Sequence, residues 1–224
     1  SHNYEEIRSM SALSSHPSVD RSYRSYLDNS NFLIEGQRIS ALRRGWARDI
    51  RESFDRQILD TTWRPSYGTL GSKLEERVGT TCARDLFGSL SRAIVEERAN
   101  EIRAEMQAGG WSLHLRSRES ERPEKGVDVE LATHLTWDAA LRTDRMRTGL
   151  LLVAGDRDYA PMVEFLTARG HDVVVAFWAH AAEELKQAAS RFVELDHCFH
   201  DVTASPRLRG VDSTTSQEVV SCRH

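Results

Sequence analysis

Hydrophobic and polar positions along this chain fall into two patterns: short apolar runs, and longer stretches with apolar residues three or four apart. The first predicts strands and the second amphipathic helices. Residues 23–27 form a short apolar-leaning run, read as a strand. It ends in Asp28-Asn29-Ser30-Asn31, residues that favour turns and caps, read as a loop. Ile39, Leu42, Trp46, Ile50, Phe54 and Ile58 then predict one or two helices over residues 36–60. Residues 63–71 hold Pro65, Gly68 and Gly71 and read as a loop; residues 72–77 are charged, and 78–86 read as a second strand ended by Gly88. Residues 91–108 set Ile94, Val95, Ala99, Ile102 and Met106 among Glu and Arg, the clearest helix in the chain, stopped by Gly109-Gly110.

Residues 111–115 read as a third strand, 117–126 as a charged loop, and 127–141 as a helix with Val127, Leu131, Leu135 and Ala139 at helical spacing. Residues 149–154 are continuously apolar, the sign of a strand buried on both faces, and Gly155-Asp156-Arg157-Asp158 follows at once. A helix with Met162, Phe165 and Leu166 is closed by Gly170. Residues 172–178 predict another buried strand, 181–190 a short helix and 192–195 a last small strand. Residues 1–20 and 201–224 are polar and without period, and read as flexible tails around one domain spanning 21–200. Strand alternating with helix argues for an α/β fold with a mainly parallel sheet covered on both faces. In such folds ligands bind beyond the carboxyl ends of the strands.

That edge collects acid. Asp28 follows the first strand, Asp156 and Asp158 follow the buried strand at 149–154, and Asp128 opens the helix after a loop that returns to the same side. Each has a plain local reading. Asp28 suits an Asx turn that caps a helix, Asp158 suits the N-cap of the helix that follows it, and Asp128 suits a helix dipole. Three separate caps on one edge are a poor account of the set. Carboxylates that converge repel one another, and a hard cation such as Mg2+ or Mn2+ relieves that repulsion. Such a site suits phosphodiester hydrolysis without a covalent intermediate.

Composition narrows the partners. Formal net charge is −4 with a pI near 6.1, so a nucleic-acid partner would be held by a local patch, not by bulk charge. Lysine occurs only at Lys73, Lys125 and Lys186, and every other basic side chain is arginine. Cys82, Cys198 and Cys222 form no CxxC pair, which argues against a cysteine zinc site and for free thiols in the cytoplasm. No run approaches the roughly 20 apolar residues of a membrane helix, and residues 1–24 hold no apolar core of a secretory signal. The segment 36–60 is a candidate surface for a homo-oligomer or another protein partner. His197 and His200 with Cys198 and Asp201 are a minor metal reading. Trp111, Trp137 and Trp178 are read as core, and Arg142, Arg145 and Arg147 as a solvated surface or an RNA-backbone contact.

Four stretches in order resemble the NYN domains, relatives of the PIN-domain nucleases, over residues 23–195. They are Tyr26-Leu27-Asp28-Asn29-Ser30-Asn31-Phe32, Lys125-Gly126-Val127-Asp128-Val129-Glu130-Leu131-Ala132, Leu151-Leu152-Val153-Ala154-Gly155-Asp156-Arg157-Asp158-Tyr159, and Gly170-His171-Asp172-Val173-Val174-Val175. The resemblance implies a three-layer α/β/α PIN-like, Rossmann-like domain and a metal-dependent endoribonuclease. It implies Asp28, Asp128, Asp156 and Asp158 as catalytic metal-site residues, Asn31 orienting a carboxylate or water through its amide, Lys125 meeting a phosphate, and RNA as the substrate. Two departures are visible. His134 stands where many bacterial members carry a further Asp, unless it lies on the helix flank outside the site, and Ala154 stands where Ser is common. They keep a second function open, an RNA-binding or scaffold module with weakened or lost turnover. A haloacid-dehalogenase phosphatase would need Asp two residues after Asp28, where Ser30 stands, and Lys186 is misplaced for a receiver domain.

Overall fold

The computed structural model describes residues 21–90, 96–117, 126–141 and 147–205. In chain order its elements are β1 (Ser22–Asp28), α1 (Asn29–Arg43), α2 (Ile50–Asp55), α3 (Tyr67–Val78), β2 (Thr81–Leu90), α4 (Glu96–Ala108), β3 (Ser112–Ser117), α5 (Val127–Leu141) and β4 (Thr148–Val153). After a single-turn helix (Arg157–Tyr159) come α6 (Ala160–Thr167), β5 (Val173–Phe177), α7 (Glu183–Ala188) and β6 (Arg191–Glu194). A second short turn (Asp196–Cys198) leads into α8 (Phe199–Val202).

All six strands are parallel and lie in the order β3-β2-β1-β4-β5-β6. The chain winds outward from β1 to β3, then returns to the other side of β1 and winds outward again. The order therefore reverses between β1 and β4, the topological switch point at which doubly wound sheets leave a crevice.

The strand residues alternate between two cores, which is why β4 and β5 read as unbroken apolar runs. Leu27, Leu151, Val153, Val174 and Ala176 join Phe32, Trp63, Leu70, Leu74, Met106 and Trp178 beneath α1, α3, α4 and α8. Tyr26, Leu150, Leu152, Val173 and Val175 join Phe87, Val127, Leu131, Leu135, Tyr159 and Val163 beneath α5, α6 and α7. Helices thus cover both faces, and the three-layer α/β/α expectation holds.

Several boundaries differ from the sequence reading. Asp28-Asn29-Ser30-Asn31 is not a loop: α1 starts at Asn29, with Asp28 as its N-cap. Residues 36–60 form two helices, because Gly45 turns left-handed at φ +73° and Asp49 caps α2 afresh by accepting from the Glu52 N–H at 2.8 Å. Gly36 to Ala41 are buried, whereas most of residues 43–57 is exposed, Trp46 and Phe54 among them. The supposed loop at 63–71 holds the start of α3, since Tyr67, Leu70 and Leu74 share one buried face. Val78 ends that helix, and β2 starts at Thr81 and runs through Gly88.

Trp111 and Trp178 are buried as expected, whereas Trp137 is 64 % exposed on the outer flank of α5. The tail assigned from Asp201 begins inside α8, where Val202 is buried and Thr203 bridges to Pro65. Residues 1–20 and 206–224, Arg142, Arg145 and Cys222 lie outside the described residues. Among the described residues no helix is long and apolar enough to cross a membrane.

Candidate active site

β1 and β4 pair with Leu27 opposite Val153, so Asp28 and the Gly155-Asp156 turn leave the sheet side by side at the switch point. Asp28 is 8 % exposed. Its Oδ1 accepts from the Asn31 N–H at 3.0 Å and its Oδ2 from the Tyr159 hydroxyl at 2.9 Å. Burial pushes the Asp28 carboxyl up from its ordinary range, and the charges of Asp156 and Asp128 add to the rise. The two donors act against it. Asp28, Asp128 and Asp156 therefore share one electrostatic neighbourhood. The Tyr159 hydroxyl is pushed up as well, by burial first and then by those three carboxylates, so it stays protonated and donates.

Asn31 joins the two strand ends. Its backbone N–H holds Asp28, while its side-chain Oδ1 accepts from the Gly155 N–H at 2.8 Å. The amide thus fixes the loop that carries Asp156 and does not itself reach the Asp28 carboxylate. The Gly155 carbonyl in turn accepts from the Ala182 N–H at 2.9 Å.

Asp156 caps the Arg157–Tyr159 turn, accepting from the Asp158 N–H at 3.0 Å. The cap here is Asp156 and not Asp158, which lies in the first turn, exposed. Asp128 lies in the first turn of α5, half-buried, and accepts from the Gly126 N–H at 3.1 Å. Lys125 lies outside the described residues. Arg147 precedes β4, at the opposite end of the sheet from Asp156. A cleft of about 330 Å³ opens beside Asp156, lined by Asn31, Glu35, Arg157 and His180 among others.

The neutralisation of nearby acids makes a contrast. On the same face of the sheet, Arg24 lies 2.9 Å from Asp85 and 3.0 Å from Asp138. Among the described residues no ion pair reaches Asp28, Asp128, Asp156 or Asp158. Oxygen donors that repel one another and lack a protein cation fit a hard divalent ion such as Mg2+ or Mn2+.

Three features escaped the sequence reading. Tyr159 occupies the position after Asp158 in the quoted motif, and only its hydroxyl marked it as more than core. Glu35 and His180 pair at 2.7 Å across the cleft from residues 145 positions apart, which no local pattern reveals. His134 is exposed on the flank of α5, beside His114 and Glu130. The set of His197, Cys198, His200 and Asp201 is not gathered to metal-ligand distance, and Cys82 and Cys198 are free.

Among curated proteins no sequence matches this chain. A crystal structure of a protein of unknown function from Vibrio parahaemolyticus is similar, with a TM-score of 0.56 and 14% identity over 83% of this chain and 98% of that one. At that identity the likeness concerns the fold alone. The NYN domain model matches residues 62–196, from just before α3 to the turn after β6. β1 and Asp28 lie upstream of the matched stretch, joined to it through the parallel pairing of β1 with β2 and β4. The chain belongs to the NYN domain family, whose fold is that of the PIN-like nucleases.

Proposed function

We propose that this protein is a metal-dependent endoribonuclease that hydrolyses RNA phosphodiester bonds in the cytoplasm at the β1–β4 switch point. The observation that carries the reading is the buried Asp28 carboxylate at the switch point, which feels the charges of Asp128 and Asp156 with no ion-paired protein cation on any of the three among the described residues, although the three are not gathered to direct ligand distance. These three carboxylates would hold Mg2+ or Mn2+, with Asp158 completing the acidic edge. A cation bound there lowers the pKa of a coordinated water and polarises a phosphoryl oxygen. The chain's own residues do the positioning. Tyr159 and the Asn31 N–H fix the Asp28 carboxylate, and the Asn31 amide holds Gly155 so that Asp156 faces the cleft. Arg157, which lines the cleft, would meet phosphate, the local contact a chain of net charge −4 requires, and the family resemblance gives Lys125 the same role.

The test is cleavage of a labelled, unstructured RNA in Mn2+, Mg2+ or chelator, with Asp156→Asn alongside. The wild type is expected to cut only with metal, and the variant to lose at least about a hundredfold in rate, the scale of removing one electrostatic contact to a transition state. A second reading, an RNA-binding or scaffold module, is favoured by Ala154, buried with no hydroxyl to offer. Binding of that RNA by folded protein without cleavage in either metal would select it.

Tyr159→Phe gives a separate expectation. The hydroxyl lowers the Asp28 pKa. Without it Asp28 ionises at higher pH, and the acid limb of the cleavage profile moves to higher pH while the alkaline plateau is kept. An acid limb unchanged in position would show that Asp28 does not titrate in the rate.

A further inference from the structure

We propose that His114, Glu130 and His134 form a binding site for one borderline divalent cation, Zn2+ foremost, separate from the acidic edge. Each residue offers one ligand atom, and these atoms lie within 4.8 Å of one another. Among the described residues this is the set of His, Cys, Asp and Glu so gathered, while Asp28, Asp128 and Asp156 are more widely spaced. Glu130 and His134 are four apart on α5 and so share one face of that helix. His114 reaches them from β3, paired in register with Phe87, which is paired in turn with Asp28. Two strand spacings place the His114 backbone about 10 Å from that of Asp28.

The surroundings of His114 are those of a ligating imidazole. Its Nε2 lies 3.0 Å from Asp85 Oδ1, a carboxylate that Arg24 also meets at 2.9 Å, so in this contact the ring nitrogen donates and the carboxylate oxygen accepts. That leaves the Nδ1 lone pair for a metal, with a carboxylate behind the ring to fix its tautomer and raise its basicity. Phe87 stacks on the ring at 4.4 Å and 7°, which sets its orientation. The His134 ring stands 4.7 Å from it, tilted by 57°.

Arg116 meets Glu130 through Oε2 and balances its charge in the free protein, a contact that does not use Oε1. Two imidazoles and one carboxylate suit zinc with an open fourth position, and softer nitrogen donors disfavour magnesium. The proposal does not rest on the nuclease reading.

The test is Zn2+ titration by calorimetry, with the visible spectrum of Co2+ as a second probe, on wild type, His134→Ala, Glu130→Gln and Asp156→Asn. His134 is exposed, so its replacement spares the core. The expected result is one Zn2+ per chain in the wild type and in Asp156→Asn. Affinity should fall more than tenfold in His134→Ala and Glu130→Gln, beyond the low end of losing an outer-shell partner, with loss of the Co2+ absorption. Zn2+ binding unchanged in both His134→Ala and Glu130→Gln, binding lost in Asp156→Asn, or none in the wild type would overturn the proposal.

Discussion

Asp28→Asn is expected to unfold at a higher temperature than the wild type at neutral pH in chelator, and to cut no RNA. The Asp28 carboxyl is buried at a strand end, and its pKa is raised by that burial and by Asp156 and Asp128. An acid whose pKa is higher folded than unfolded binds its proton more tightly in the native state. Stability therefore falls as pH rises from about 3.9, its value in an unfolded chain, through the raised native value. The penalty grows with pH until the raised native value is passed. Asparagine removes the charge, still accepts from the Asn31 N–H, and can donate to the Tyr159 oxygen. The gain should be about 1 kcal/mol, a rise of roughly 2–4 °C for a domain of this size. Below pH 4 the two proteins should converge. Thermal unfolding across pH checks this, and a variant less stable than wild type at neutral pH would show that Asp28 is held as a favourable anion.

Gly155→Ala is expected to damage both fold and site. A Cβ at Gly155 would lie 2.2 Å from Phe177 Cδ1 and 2.3 Å from its Cε1, and that ring is 1 % exposed and cannot swing away. The backbone must move instead. Its N–H is held by Asn31 and its carbonyl by the Ala182 N–H, so movement loses hydrogen bonds on both sides. Overpacking of this kind costs about 1–3 kcal/mol. Asp156 follows directly in the chain, and a shift of about 1 Å at a reacting group costs on the order of a hundredfold in rate. A variant with wild-type melting and wild-type cleavage would mean that the turn has room the close ring contact denies.

The buried strands were legible because both of their faces are apolar. β4 and β5 lie within residues read as continuous hydrophobic runs, and the Gly155-Asp156 turn after β4 follows from them. α3 was missed because Pro65, Gly68 and Gly71 are turn formers in isolation, while the burial of Tyr67, Leu70 and Leu74 outweighs them once α4 and α8 are near. Asp28, Asp128 and Asp156 were legible as acids near strand and helix ends. Their convergence depends on the sheet order, since β1 and β4 are neighbours despite the long stretch of chain between them. The roles of Asn31 and Tyr159 were not legible in full, because each acts through an atom that meets a partner more than a hundred residues away.

On the proposed reading, Asp28, Asp128 and Asp156 act together on one cation at the switch point. Asp128 tests it most directly, because it comes from a different layer and bears on the site through its charge at Asp28. Mn2+-dependent cleavage of a labelled RNA should therefore be measured for wild type and Asp128→Asn, each first shown to be folded by its melting curve. The wild type is expected to cut only with metal, and the variant to lose at least about a hundredfold in rate. Cutting by Asp128→Asn at the wild-type rate would contradict that reading.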